Sequence, residues 1–381
     1  MESIQEQIES IEQEMAKTPY HKGTEGWFGL MRAKIAKMRA QIAEKQLVKA
    51  QQGGGRGFAI KKFGNATVVL VGFPSVGKST LLNALTNAKS PTAEYAFTTV
   101  TVIPGMMDYN NAQIQILDVP GLIEGASAGK GKGREVLSVV RSADLLLIMG
   151  DTEKYADQFE RIVSELEANG VRINQERPQV VVKKALRGGL KINFTVGQDL
   201  NRYTISGVAK EFGIINAEFI IKEKLTLDRL VDAFATNRVY VPALFVVNKI
   251  DKQIYTPEVQ VQKHFRSETA TTHRDFIGIS AENEIGLDGL REKVWETLGL
   301  IRVYLRDPKK SLGSNLRGGG TNMDCVIMHK GQTLQDLLDL LGPDAAIGKT
   351  EAKIWGTGAR FPGQTVSFRT KVQDGLEVTF I

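Results

Sequence analysis

One cysteine in 381 residues, Cys325, excludes an intramolecular disulfide and any cysteine-based metal cluster, and it reads as core filling. Histidine is equally scarce: His21, His264, His273 and His329 lack ligand spacing and read as structural or surface residues. No apolar run is long enough to span a bilayer, and Met1-Glu2-Ser3-Ile4-Gln5-Glu6 has neither the basic nor the apolar region of a secretory leader. The expectation is a cytoplasmic chain with no membrane partner. Its length exceeds what one core usually holds and suggests roughly two to three domains.

What the chain does have is a set of short motifs in a fixed order. Gly72-Phe73-Pro74-Ser75-Val76-Gly77-Lys78-Ser79-Thr80 follows the β-branched run 67–71 and precedes Leu81, Leu82, Ala84 and Leu85 at helical spacing. Strand, glycine-rich loop and helix together make a phosphate cradle, in which backbone N–H groups at a helix N-terminus face the anion and Gly72 and Gly77 keep the tight points open. Lys78 can reach β- and γ-phosphate oxygens as a point charge, and the Ser79 hydroxyl is placed for Mg²⁺.

Asp118-Val119-Pro120-Gly121 follows the apolar run 114–117, which reads as a buried strand bringing a carboxylate to the ligand-facing edge of a parallel sheet. Asp118 would then act on Mg²⁺ indirectly, and the Gly121 N–H would sense the γ-phosphate. The same four residues are also ordinary turn chemistry. Between the two motifs lies Phe97-Thr98-Thr99, where Thr99, or Thr98 in its place, would complete the Mg²⁺ shell once GTP orders the segment. The catalytic set expected from these motifs is Lys78, Thr99 and Gly121, with Ser79, Thr99 and Asp118 at the metal.

Asn248-Lys249-Ile250-Asp251 comes directly after the strand-like run 243–247. Asp251 can accept hydrogen bonds from the ring N–H and exocyclic amine of guanine; adenine offers neither, so GTP is favoured and an ATPase or kinase reading ranks last. Lys249 would lay its methylene stem over the base, and Asn248 would tie its loop to the phosphate loop. Ser280-Ala281-Glu282, after the run 276–279, offers a backbone N–H to the guanine carbonyl.

Together, Gly-Phe-Pro-Ser-Val-Gly-Lys-Ser-Thr, Phe-Thr-Thr, Asp-Val-Pro-Gly-Leu-Ile-Glu-Gly-Ala and Asn-Lys-Ile-Asp resemble the Obg-related GTPases, and most nearly the developmentally regulated GTP-binding (DRG) subfamily. The resemblance runs nearly end to end, taking in Lys130-Gly131-Lys132-Gly133-Arg134, an insertion before Asn248 and a C-terminal segment similar to a TGS domain. It implies GTP and GDP with Mg²⁺ as ligands, GTP hydrolysis as the activity, and association with the ribosome or ribosomal RNA in translation. It further implies a DRG-family regulatory protein as partner and a monomer when free.

Leu122 stands where Ras-like GTPases place the glutamine that orients the attacking water, so intrinsic turnover is expected to be slow. Related GTPases with an apolar residue here often recruit K⁺ as a transition-state charge. Where the best-marked of these have an asparagine ligand, this chain has Ser75, a shorter neutral group, so K⁺ stimulation is an expectation that departs in part from the pattern. Arg134 reads as a solvated loop residue as readily as a cation acting on phosphate.

Net charge is +6, but its distribution is more informative: between Met31 and Lys62 nine Lys or Arg face a single acid, Glu44. That stretch reads either as an RNA surface or as a solvated helix face with a linker. The stripes Ile4, Ile8, Ile11, Met15 and Met31, Ile35, Met38, Ile42 predict two amphipathic helices packed as a hairpin around Pro19, Gly23 and Gly26. Residues 20–24 resemble a short family motif with no chemistry assigned.

The expected fold class is α/β, a doubly wound P-loop GTPase sheet with appended parts. These are an N-terminal helical hairpin (1–50), a Gly-rich basic linker (51–64), a GTPase domain in two pieces (65–165 and 237–300), an inserted α+β subdomain (166–236) and a C-terminal β-grasp, TGS-like domain (301–381). In the insert, runs 180–182 and 192–196 flank Arg187-Gly188-Gly189 like a hairpin, whose tip cations suggest an RNA or partner surface or a solubilised turn. Two functional classes follow: a GTP-hydrolysing ribosome-associated switch, and a nucleotide-stabilised RNA- or ribosome-binding scaffold with little turnover.

Overall fold

The computed structural model describes residues 3–52, 62–86, 102–119, 132–252, 265–266, 273–274, 276–306 and 324–381. They form two compact units, Met1–Ala59 with Val163–Val241, and Ile60–Ile162 with Pro242–Ile381.

The second unit is built on a six-stranded sheet. Its first four strands in chain order are β1 (Ala66–Gly72), β2 (Ile103–Tyr109), β3 (Ala112–Asp118) and β4 (Leu145–Asp151), joined by strands Ala243–Asn248 and Phe276–Gly278. β1 lies between β3 and β4, followed outward by Ala243–Asn248 and Phe276–Gly278, all parallel. Runs such as Leu-Leu-Leu-Ile-Met-Gly show no alternation because a strand covered on both faces wants apolar residues at every position, and β1 is buried throughout. β2 adds an antiparallel edge through a two-residue turn in which Asn110 and Asn111 both take positive φ, 50° and 67°. The parallel strands therefore deliver Gly72, Asp118, Asp151, Asn248 and the segment after Gly278 to one edge of the sheet, flanking the switch in strand order at β1.

The C-terminal part of this unit is a five-stranded mixed sheet, in which Leu300–Leu305 runs parallel to Leu376–Phe380 between antiparallel neighbours. Helix Leu334–Leu341 starts at a capping box: Thr333 N–H donates to Asp336 Oδ2 at 2.6 Å, and Thr333 Oγ1 accepts from Asp336 N–H at 3.4 Å. Leu334 and Leu337 pack against Ile301, Val303, Ile354 and Val378. Three strands follow the helix, the short segment Gln364–Val366 pairing as an edge.

The first unit differs from the sequence expectation in two ways. Strands Val180–Lys184 and Leu190–Phe194 do not pair with each other; both pair with Ala217–Ile221, which lies between them, antiparallel to the former and parallel to the latter. The parallel pairing needs a crossover, which helix Arg202–Glu211 supplies. Second, the N-terminal helices α1 (Ile4–Lys17) and α2 (Glu25–Gln52) bury their stripes on each other through Ile8, Ile11, Ile35 and Met38, but α2 has another buried face. Phe28, Ala33 and Ala36 share a core with Ile205, Val208, Phe219, Leu230 and Phe234 of the insert.

Glu25 makes this second contact specific. Its carboxylate accepts from the Asn201 N–H at 3.2 Å and the Thr204 hydroxyl at 3.2 Å, at the N-terminus of helix Arg202–Glu211, and pairs with Lys22 at 2.6 Å. Lys22 also donates to the Asp199 carbonyl. Burial pushes the Glu25 carboxyl up, but Lys22, the Asn201 N–H and Thr204 together hold it below the ordinary glutamate range. A depressed carboxylate stabilises the fold above its unfolded value of about 4.3 and loses that contribution as pH falls further. Glu25→Ala should cost about 1–3 kcal/mol, because buried donors lose their acceptor. Urea unfolding followed at α2 would measure it, and an unchanged midpoint would remove Glu25 from this role.

Candidate nucleotide-binding site

The loop after β1 turns sharply to start α3 (Lys78–Leu85), with Ser75 at φ 63° and Gly77 at φ 93°. The glycines are required by the protein itself, beyond any ligand. A Cβ on Gly72 would lie 2.8 Å from the Met149 carbonyl oxygen, and one on Gly77 would lie 2.2 Å from Asn248 Nδ2. Val76 is buried under the loop, while Ser75, Ser79 and Thr80 stay solvent-accessible. The buried Lys78 ammonium donates to the carbonyls of Gly72 at 3.1 Å and Phe73 at 3.0 Å, which holds it at the mouth of the cradle.

Asp118 is 2% exposed, and its Oδ2 accepts a 2.6 Å hydrogen bond from Ser79 Oγ. Its other oxygen, Oδ1, is buried without a hydrogen-bond partner. A buried carboxylate oxygen left unsatisfied beside a serine hydroxyl is a hard-oxygen site whose chemistry suits Mg²⁺. Among the described residues no cluster of three His, Cys, Asp or Glu could hold a metal ion. Val119 is buried next to Asp118. Phe97, Thr98, Thr99, Pro120, Gly121, Leu122, Lys130 and Gly131 lie outside the described residues.

Asn248 joins the two halves of the site. Its Nδ2 donates to the Val76 carbonyl at 2.8 Å, and its Oδ1 accepts from the Ala281 N–H at 3.0 Å. The Ala281 amide is thereby engaged, and the Ser280 N–H goes to the Ile285 carbonyl at 3.0 Å. Of the three amides proposed from the sequence, that of Glu282 makes no such bond. Asp251 sits exposed in the turn Ile250–Lys252, with its carboxylate open to a ligand.

One residue of the site escaped the sequence reading. Asp151, at the end of β4, pairs through Oδ2 with Lys249 Nζ at 2.6 Å, and Lys249 itself has φ 67°. Asp151 also receives the Glu153 N–H on Oδ1 at 3.3 Å. Burial pushes the Asp151 carboxyl up, but the Lys249 hydrogen bond, the Glu153 N–H and nearby Lys252 hold it below the ordinary aspartate range. The pair is therefore intact at neutral pH and opens only below about pH 3.9. Its signal in the sequence is an acid closing the apolar run Leu145–Gly150, the same signal that marks Asp118.

Two substitutions test this geometry. Gly77→Ala should abolish binding of a fluorescent GDP analogue, since the new Cβ collides with Asn248 and the backbone is strained for any L side chain. Asp151→Asn should weaken that affinity roughly tenfold, yet change nothing in a Lys249→Ala background if it acts by positioning Lys249. Additive losses would show instead that Asp151 works apart from the lysine.

Residues 67–184 match the family of 50S ribosome-binding GTPases, and residues 187–300 match the C-terminal region of that same domain. An uncharacterized GTP-binding protein of Methanocaldococcus jannaschii is 42% identical over 99% of this chain and 93% of its own length. Developmentally-regulated GTP-binding protein 2 of Homo sapiens is 38% identical over 95% of each chain. Among solved structures, Era of Aquifex aeolicus bound to GDP and AlF4⁻ aligns with a TM-score of 0.33 and 20% identity, over 62% of this chain and 57% of that one. By its near full-length identity to these relatives and by its GTPase domain, the chain belongs to the developmentally regulated GTP-binding proteins.

Proposed function

We propose that this chain hydrolyses GTP to GDP and phosphate and acts as a ribosome-associated switch in translation. The observation behind this reading is the Ser79–Asp118 pair with its unsatisfied Oδ1, at the start of the segment that leads to Gly121. A nucleotide bound only for structural support would not need a metal-sensing carboxylate at that place. Mg²⁺ would be held by Ser79 and Thr99, with Asp118 behind them, and when bound it supplies charge neutralisation at the β- and γ-phosphates. Lys78 turns from the loop carbonyls to the phosphate oxygens. Asp251 selects guanine, Lys249 is steadied over the base by Asp151, and Gly121 reads the γ-phosphate.

Leu122 in the position next to Gly121 supports slow intrinsic turnover, because no side-chain amide orients the attacking water from there. The ribosome link rests on the matched GTPase family, and the C-terminal sheet domain, read as TGS-like from the sequence resemblance, would dock on ribosomal RNA or a DRG-family regulatory protein. Among the described residues no helix is long and apolar enough to cross a membrane. A cytoplasmic monomer fits these partners.

Steady-state hydrolysis of GTP and ATP in KCl and in NaCl, with and without purified ribosomes, tests the proposal. The expected outcome is GTP-selective turnover raised by ribosomes, faster in K⁺, and lost in Lys78→Ala. Turnover indifferent to ribosomes, with ribosome binding unaffected by Lys78→Ala, would support a scaffold instead. Equal initial rates in the two salts would reject the K⁺ effect alone.

A further inference from the structure

The basic stretch between Met31 and Lys62 is the more obvious polyanion surface in the sequence, and the fold pairs four of its nine cations internally. Arg32 pairs with Asp228 at 2.6 Å, Lys37 with Glu211 at 3.4 Å, Arg39 with Glu12 at 2.7 Å and Lys62 with Asp144 at 2.6 Å. Arg39 also caps the Ala168 carbonyl at 2.9 Å. These cations are committed to carboxylates of the protein.

The three-stranded sheet of the insert shows the reverse pattern. Its inner face, with Val180, Val182, Ile192, Phe194, Phe219 and Ile221, belongs to the core shared with α2. The opposite face follows from the register. Lys183 and Lys191 flank Glu218 in one row, and Val181 and Asn193 flank Ile220 in the next. Lys222 continues that face beyond the central strand, and Arg187 stands in the turn at its end, whereas Lys184 alternates into the inner row beside Ala217. Among the described residues none of Lys183, Arg187, Lys191 and Lys222 closes an ion pair, and Glu218 accepts instead from Asn193 Nδ2 at 2.9 Å.

The loop that carries Arg187 is ordered. Asn216 Oδ1 accepts from the Gly189 N–H at 2.8 Å and its carbonyl accepts from the Ala185 N–H at 3.0 Å, while Leu186 is 99% exposed. Gly188 and Gly189 take positive φ, 108° and 70°, to close the turn. Lysines two strands apart are separated by about 10 Å, too far to converge on one phosphate and suited to a chain of repeated charges. A protein partner of ordinary size would want aromatic anchors and a contiguous apolar patch, and this surface offers no aromatic side chain, only Val181 and Ile220 on the sheet and Leu186 in the loop.

We infer that this open sheet face, through Lys183, Arg187, Lys191 and Lys222, is a contact surface for the phosphate backbone of RNA. The inference rests on the ribosome-associated reading above and assigns an RNA contact to the insert. Contact is by charge and is independent of sequence, since no side chain here is arranged to read base edges. It follows that affinity should fall steeply with salt.

The test uses the full chain and a labelled RNA duplex titrated at several KCl concentrations. Lys183→Gln with Arg187→Gln and Lys191→Gln should weaken binding at least about tenfold and flatten the log–log salt dependence by roughly two to three. GTP affinity and thermal unfolding should stay as in the parent, which keeps misfolding from imitating the result. The control, Arg32→Gln with Lys37→Gln, should bind RNA as the parent does. Unchanged RNA affinity in the triple variant, or a greater loss in the control, would overturn the assignment. So would parent binding of equal strength to polyglutamate or to phosphatidylserine vesicles. Ribosome-stimulated turnover is read separately, so loss of RNA binding without any stimulation in the parent would reject the switch and leave this surface standing.

Discussion

A buried carboxamide holds the nucleotide site together. Asn248 is 3% exposed and spends both ends of its side chain on backbone, one on the phosphate loop at Val76 and the other on the base-side loop at Ala281. Because these loops leave different parallel strands, their separation is fixed by the sheet, and the amide turns that spacing into a defined gap between phosphate and base. The same side chain occupies the space where a Gly77 Cβ would stand, so the glycine and the asparagine constrain each other. A site assembled this way has its charged groups poised around backbone that is already fixed, which reduces the ordering needed on binding.

Electrostatics in the site then divides by depth. Asp118 is kept from water and has one oxygen unpaired, a costly arrangement that a cation relieves. Asp151 and Lys249 are partly exposed and satisfied by one another, so their pairing contributes position more than stability. Asp251 is open to solvent, where the proposed reading gives its carboxylate to the guanine base. Three acids at the ends of neighbouring elements thus stand in three different electrostatic surroundings.

How much of this could be read from sequence depended on how far apart the partners lie along the chain. The phosphate loop, the Asn-Lys-Ile-Asp stretch and the Thr333–Asp336 capping box are contiguous, and each states its geometry within a few residues. Asp151 sits 98 residues from Lys249, and nothing local distinguishes it from a strand-ending turn acid. Glu25 is 176 residues from Asn201, so the second buried face of α2 could not be inferred from its own stripe, which already had a partner in α1. In the insert, two short apolar runs around a Gly-Gly turn look like a hairpin. The later run Ala217–Ile221 is more apolar than its neighbours' exposed ends and takes the centre, where both its edges are paired. Sequence proximity favoured one pairing, and burial decided the other.

The joining of α2 to the insert also has a temporal side. A ribosome making this chain releases Phe28, Ala33 and Ala36 long before Asn201, Thr204 and Leu230 exist. At elongation rates of about 5–20 residues per second, that delay is on the order of ten to thirty seconds. For that interval the nascent N-terminus presents a greasy helix surface and a carboxylate with no helix end to cap. The hairpin can wait in partnership with α1 alone, but only the synthesis of the last helix of the insert lets the first unit close.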